Sequence, residues 1–248
     1  MKEYLVFRLF GPMASWGLPA VGGDRTTAMQ PTRSAILGLM GAALGIKRDN
    51  EVALTDLQQS ICIAIKQCVP GSLMRDYHTS QVPSHNNKVV HRTRKSELGE
   101  DKLNTILSSR DYCCDGLWIV AISLAQASIV SLDKLQDALK KPVYTLSLGR
   151  KSCPLAAPLQ PVLIKADNLK AALDTEFPAL TRSHKEDALW LGFNGRVTYF
   201  WEGDKAEIDD VRVLTTNPWD EPVHRERWQF KQRAMHQLSV EEVANVSV

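Results

Sequence analysis

Two glycine-bearing turns and one long basic stretch hold the residues of this chain that could do chemistry. The first turn is Gly22-Gly23-Asp24-Arg25, and from Gly22 to Arg33, a run that holds Arg25 and Arg33, the single acid is Asp24. Pro31 and Thr32 then open a helix, because proline cannot sit inside one and a threonine hydroxyl can accept from first-turn amides. Loop amides, two guanidinium groups and a helix N-terminus in one place suit an anion such as phosphate. The second turn is Gly149-Arg150-Lys151-Ser152-Cys153-Pro154, where a glycine precedes two cations and a hydroxyl. Amides and cations there could hold a phosphate; alone, the same residues read as a surface turn. The basic stretch begins with Arg75-Asp76-Tyr77-His78-Thr79 and continues through His85 to Lys95, where Lys88, Arg92, Arg94 and Lys95 meet no acid. Rings interleaved with guanidinium groups can stack on unpaired bases, so the stretch reads as an RNA surface or as a solvated loop.

Other chemistries fit less well. Tyr77, His78, Lys88 and His91 could on paper supply the base and cation of a metal-free ribonuclease. A zinc set from His78, His85, His91 and Cys113 or Cys114 lacks any ligand spacing, so no metal is expected. No cofactor motif is present. The five cysteines have no paired spacing and read as reduced thiols. A formal charge of +2 over 248 residues means that any nucleic-acid role must rest on local clusters. The 44% hydrophobic fraction and mean hydropathy of -0.20 describe a soluble chain with a sizeable core. Its apolar runs end before the roughly 18 residues of a membrane helix, and Met1-Lys2-Glu3 leads straight into a strand-like YLVFRLF. A cytoplasmic protein without membrane contact is expected.

The elements that would position these residues follow from periodicity. Tyr4–Phe10 reads as a strand interrupted by Arg8, which faces a ligand or makes an edge salt bridge. A helix spans about 33–46, with a stripe of Ser34, Gly38, Gly41 and Gly45. A short helix at Thr55–Gln59 and a strand at Ile61–Gln67 come next. From Met74 to Asp115 apolar periodicity is lost over a length unusual for a loop. Leu117–Leu124 is a strand, Ser131–Lys141 a helix and Val143–Leu148 a strand. That order is the order of a ferredoxin-like sheet. The expected fold is therefore α+β: a ferredoxin-like (RRM-like) palm from 1–73 and 116–159, an inserted thumb at 74–115, and a β-rich C-terminal extension at 160–248. In the extension, Val162–Lys165 reads as a strand and Asn168–Leu173 as a short helix. Asn194-Gly195 marks a hairpin between Leu189–Gly192 and Arg196–Trp201, and Val211–Leu214 adds a strand. His224 to His236 carries Arg225, Arg227, Lys231 and Arg233 among Trp228 and Phe230.

GPMASWG, QPTRSAILGLMGAALGI, RDYHT, KPVYTLSLGRKSCPL and the Arg/Trp-rich end together resemble the CasD subunit family of Cascade, the type I-E CRISPR surveillance complex. The likeness covers Lys2 to Leu159 and weakens from Gln160 to about Asn217. It implies that the palm binds the 5′ handle of the CRISPR RNA (crRNA). It also implies that the thumb reaches a neighbouring backbone subunit and that the large subunit docks alongside. Target DNA near the protospacer-adjacent motif is then met through the complex. Carried onto this chain, Trp16, Gly22, Gly23, Arg25 and Arg33 line one side of the handle site. Tyr77, His78, Tyr144, Gly149, Arg150, Lys151 and Ser152 line the other, and Arg75, Lys88, Arg92 and Arg94 join from the thumb. The type I-E subtype leaves cutting to a separate subunit, so the implied role is a non-catalytic RNA-binding one. A metal-independent endoribonuclease and an assembly scaffold with little RNA contact are the alternatives.

Overall fold

A computed structural model describes residues 1–20, 22–84, 90–126, 128–224, 227 and 229–241. Nine strands and five helices matter to the argument. The strands are β1 (Lys2–Phe10), β2 (Ile61–Val69), β3 (Ser72–Pro83), β4 (Leu103–Cys114), β5 (Leu117–Leu124), β6 (Val162–Ala166), β7 (Arg196–Trp201), β8 (Leu214–Thr216) and β9 (Met235–Glu241). The helices are α1 (Arg33–Leu44), α2 (Glu51–Ser60), α3 (Leu132–Lys140), α4 (Leu169–Leu173) and α5 (His184–Trp190). Seven strands form one sheet in the order β6-β1-β5-β2-β7-β9-β8, each pair antiparallel.

Both faces of that sheet are covered, which explains the nearly unbroken apolar run of β1. Side chains alternate along a strand. Leu5, Phe7 and Leu9 enter one core with Ile36, Leu37 and Met40 of α1 and Leu135 and Leu139 of α3. Tyr4 and Val6 enter the opposite core with Ala172 and Leu173 of α4 and Tyr199 and Trp201 of β7. The α3 start is fixed by Ser131, whose Oγ accepts from the Lys134 amide at 3.3 Å.

Several expectations change. Val143–Leu148 is not a strand. The Val143 and Tyr144 amides donate to the Ala43 and Ala42 carbonyls at 3.0 and 3.1 Å, which ties this segment to the end of α1. The place beside β1 belongs to β6, with Val6 opposite Val162. Residues beyond 160 therefore supply β6, β7, β9 and β8 of the seven-stranded sheet and continue it without a break. The hairpin expected at Asn194-Gly195 is instead a helix followed by a strand. Ser183 Oγ accepts from the Glu186 amide at 3.2 Å and starts α5, which takes in Leu189 and Trp190 of the expected first strand.

The stretch expected to be irregular is a long hairpin. β3 and β4 pair from Ser72 opposite Cys114 to Pro83 opposite Leu103, with a short helix at Arg94–Leu98 between them. Most of β3 and the outer half of β4 are exposed or half-buried, so no buried face imposes an apolar alternation on the sequence.

Arg8 is neither an edge salt bridge nor a free cation. It is buried, and it donates through Nε to the Pro158 carbonyl at 3.1 Å and through Nη1 to the Pro178 carbonyl. It lines a cleft of about 530 Å³ with Lys66, Ile119, Phe177 and Asp187. Burial pulls its pKa below the usual guanidinium range, against the pull of Asp187. Lys66 in the same cleft is paired with Asp174 at 2.8 Å. Both floor cations thus hold the chain's own segments together.

Candidate nucleic-acid interface

Three distant segments cross at the base of the β3–β4 hairpin. The first is Met13–Trp16. Met13 and Ala14 pair with Cys114 and Cys113 of β4, and the Ser15 amide donates to the Leu148 carbonyl at 2.9 Å. The second is the glycine loop. Asp24 and Arg25 lie parallel to Ser109 and Arg110 of β4. The Ser109 amide donates to the Gly23 carbonyl at 3.3 Å, and its hydroxyl donates to Asp24 Oδ1 at 2.6 Å. A Cβ on Gly23 would stand 2.8 Å from the Leu107 carbonyl oxygen, so only glycine lets the loop lie this close to β4.

The third segment is the 149–152 turn, closed by Leu148 donating to Cys153 at 2.8 Å and Cys153 to Arg150 at 2.9 Å. Gly149 has φ +89°, and a Cβ there would overlap the Ser15 carbonyl oxygen. The turn bonds to the glycine loop through Arg150, whose Nη2 donates to the Arg25 carbonyl at 3.2 Å. The Arg150 guanidinium also lies 4.9 Å from the centre of the Tyr112 ring.

Around this crossing Arg25, Arg110, Lys151 and Ser152 are exposed. Arg75 is also exposed but is paired with Asp111, Nε to Oδ1 at 2.7 Å and Nη2 to Oδ2 at 2.9 Å. That pairing holds the Asp111 carboxyl below its usual pKa. Tyr77 is exposed on β3, and His78, half-buried, bonds to Asp76. Arg92 is exposed near the outer end of the hairpin, and Arg94 is held by Glu97 at 2.7 Å and by the Gln81 carbonyl. Lys88 lies outside the described residues. Arg110 was not singled out from sequence; the signal would have been the parallel register that places it beside Arg25.

Two expected members, Trp16 and Arg33, do not belong to this surface. Trp16 is fully buried, edge-on to Trp118 at 5.1 Å, so it backs the crossing and cannot stack on a base. Tyr144 is exposed but is tied to the C-terminal end of α1. Arg33 is buried at the opposite end of α1. Its Nη1 and Nε pair with Glu202 and Glu221, and its Nη2 donates to the Gln58 carbonyl at 2.6 Å. The α1 N-terminus already has its anion: Asp220 Oδ2 accepts from the Arg33 amide at 2.8 Å. Asp220 also binds Arg233, with Nε to Oδ1 at 2.7 Å and Nη2 to Oδ2 at 3.0 Å. Arg33 is therefore a buried strut between α1, α2, β2 and the 220–233 segment. Arg225 and Trp228 of the basic end lie outside the described residues.

Among the described residues no group of three or more His, Cys, Asp or Glu side chains could hold a metal, and no helix is long and apolar enough to cross a membrane. The family model described as CRISPR-associated protein (Cas_Cas5) matches residues 4–236. The chain belongs to that family. It is 39% identical over 227 residues to the CRISPR system Cascade subunit CasD of Escherichia coli (strain K12), covering 88% of this chain and 95% of the relative. Two solved structures share the fold of this family member. One, titled CRISPR RNA-guided surveillance complex, has a TM-score of 0.64 at 22% identity, over 96% of this chain and 90% of the other. The second, titled Crystal structure of Cas protein, has a TM-score of 0.57 at 21% identity, over 96% of this chain and 95% of the other.

Proposed function

We propose that this chain is a non-catalytic RNA-binding subunit of a type I-E CRISPR surveillance complex, and that it holds the 5′ handle of the crRNA. The order β6-β1-β5-β2 serves as a ferredoxin-like palm, with the β3–β4 hairpin as the thumb inserted between β2 and β5. The handle lies where the glycine loop, the hairpin base and the 149–152 turn meet. Arg25, Arg110 and Lys151 bear on its phosphates, and Tyr77 offers a ring for an unpaired base. The thumb reaches the neighbouring backbone subunit, and the chain caps the filament beside the large subunit, where target DNA is engaged through the complex. The observation that carries this reading is the Arg150–Arg25 bond, which brings residues 125 apart in sequence to one basic surface.

Binding of handle RNA to the purified chain across a salt series tests it. Affinity is expected to fall steeply with ionic strength. Replacing Arg25, Arg110 and Lys151 together with alanine is expected to flatten the logarithmic slope by about 2, at roughly 0.7 per single-strand phosphate contact. Unchanged affinity and slope would leave the assembly-scaffold reading standing instead. The same RNA incubated with EDTA is expected to stay whole; cleavage lost in His78→Ala would make the chain an endoribonuclease.

A further inference from the structure

Arg150 sits in the middle of this basic surface yet points its guanidinium inward. Nη2 donates to the Arg25 carbonyl at 3.2 Å. The guanidinium Cζ lies over the Tyr112 ring, 4.9 Å from the ring centre. Nη1 is sealed from solvent and has no hydrogen-bond partner among the described residues. Asp111, next to Tyr112, already has both carboxylate oxygens on Arg75. The main chain on either side is equally fixed. Cys153 donates back to the Arg150 carbonyl at 2.9 Å, and Gly149 lies against Ser15.

We propose that Arg150 is a positioning residue for RNA binding: it sets where the Arg25 main chain stands, and Arg25 alone makes the phosphate contact of this pair. The inference rests on the RNA-binding reading above and reverses the expected role of one of its residues. Nη1 is sealed and cannot reach a ligand, and one N–H of Nη2 is taken by the Arg25 carbonyl. The glycine loop, with two adjacent glycines, has little preference of its own for one conformation. β4 holds the loop on one side through Gly23 and Asp24, and the bond from Arg150, beside an aromatic ring, holds its last residue on the other. Lysine keeps the charge but lacks the planar face and the fork, so it cannot take over this role.

The test is handle-RNA affinity across a salt series for wild type, Arg25→Ala, Arg150→Lys and the double variant, with melting curves to confirm folding. Arg25→Ala is expected to weaken binding about tenfold. It should also flatten the slope by one contact, about 0.7. Arg150→Lys is expected to match it despite the retained charge, and the double variant to be no weaker than Arg25→Ala alone. Tyr112→Leu reads the same link from the ring side, with Tyr112→Phe as wild-type control, and decides the matter should Arg150→Lys fail to fold. Wild-type affinity in Arg150→Lys or Tyr112→Leu, or a double variant that loses two contacts from the slope, would overturn the positioning role while leaving RNA binding intact. Wild-type affinity in Arg25→Ala would overturn the handle site at this surface, and the inference with it.

Discussion

Arg33→Met is expected to lower the unfolding free energy by about 3–5 kcal/mol, read by denaturant titration at neutral pH. The loss does not come from a missing favourable pair, because a buried ion pair replaced whole by apolar groups can be neutral. It comes from Glu202 and Glu221, left buried without the guanidinium that both engage. Arg233, 3.5 Å from Glu202, compensates only in part. The loss should depend on pH. Burial raises the Glu202 pKa above the usual glutamate range even with Arg33 and Arg233 opposing it. The folded chain therefore holds that proton more tightly than the unfolded chain does. Its contribution to stability is present at acid pH and falls as pH rises through the raised value. Without Arg33 the shift grows, so the variant is least impaired in acid and most impaired above neutrality. Glu202→Gln is expected to remove this pH dependence. Per folded molecule, Arg33→Met should bind handle RNA as wild type does; a drop in affinity like that of Arg25→Ala would return Arg33 to the RNA surface.

Gly149→Ala is expected to cost about 2–6 kcal/mol and most of the RNA affinity. Two effects add. The residue sits at φ +89°, a region where an L side chain is strained, at about 1–3 kcal/mol. The new methyl would also overlap the Ser15 carbonyl oxygen, and relieving an overpacked contact of that kind costs a further 1–3 kcal/mol or so. Relief requires the turn to move off the Met13–Trp16 segment, which carries Arg150 and Lys151 away from the glycine loop. Calorimetry and handle binding read the two consequences separately. Wild-type values in both would mean the turn tolerates a different path.

What the sequence revealed follows the range of its interactions. β1, β2 and β5, and the helices α1 and α3, were legible because their apolar spacing reports the core they face. The glycine loop and the 149–152 turn were legible as anion-friendly, because glycine and arginine are adjacent in each. Arg33 was misread because its neighbours in sequence hold no acid. Its true partners, Glu202 and Glu221, lie 169 and 188 residues away. Val143–Leu148 has the composition of a strand, but its amides were claimed by the end of α1. Arg110 was hidden by register: nothing local says that a strand residue will stand beside a loop arginine 85 positions earlier, just as Ser109 stands beside Asp24. The hairpin was hidden because a ribbon wet on both sides imposes no alternation.

That ribbon has a consequence for motion. Two strands alone are marginal in water, and this pair leaves Leu73, Tyr77, Ile106 and Leu107 uncovered. Beyond the inner rungs, where Met13–Ala14 and Asp24–Arg25 pair with β4, its rungs rest on little besides each other, whereas those of β1, β5 and β2 lie between two cores. In deuterated solvent the free chain should divide into a slow class at the centre of the sheet and a fast class toward the outer end of β3 and β4. Docking of a neighbouring molecule on the ribbon would merge the two, so the exchange clock of this one element reports assembly without a label on any partner.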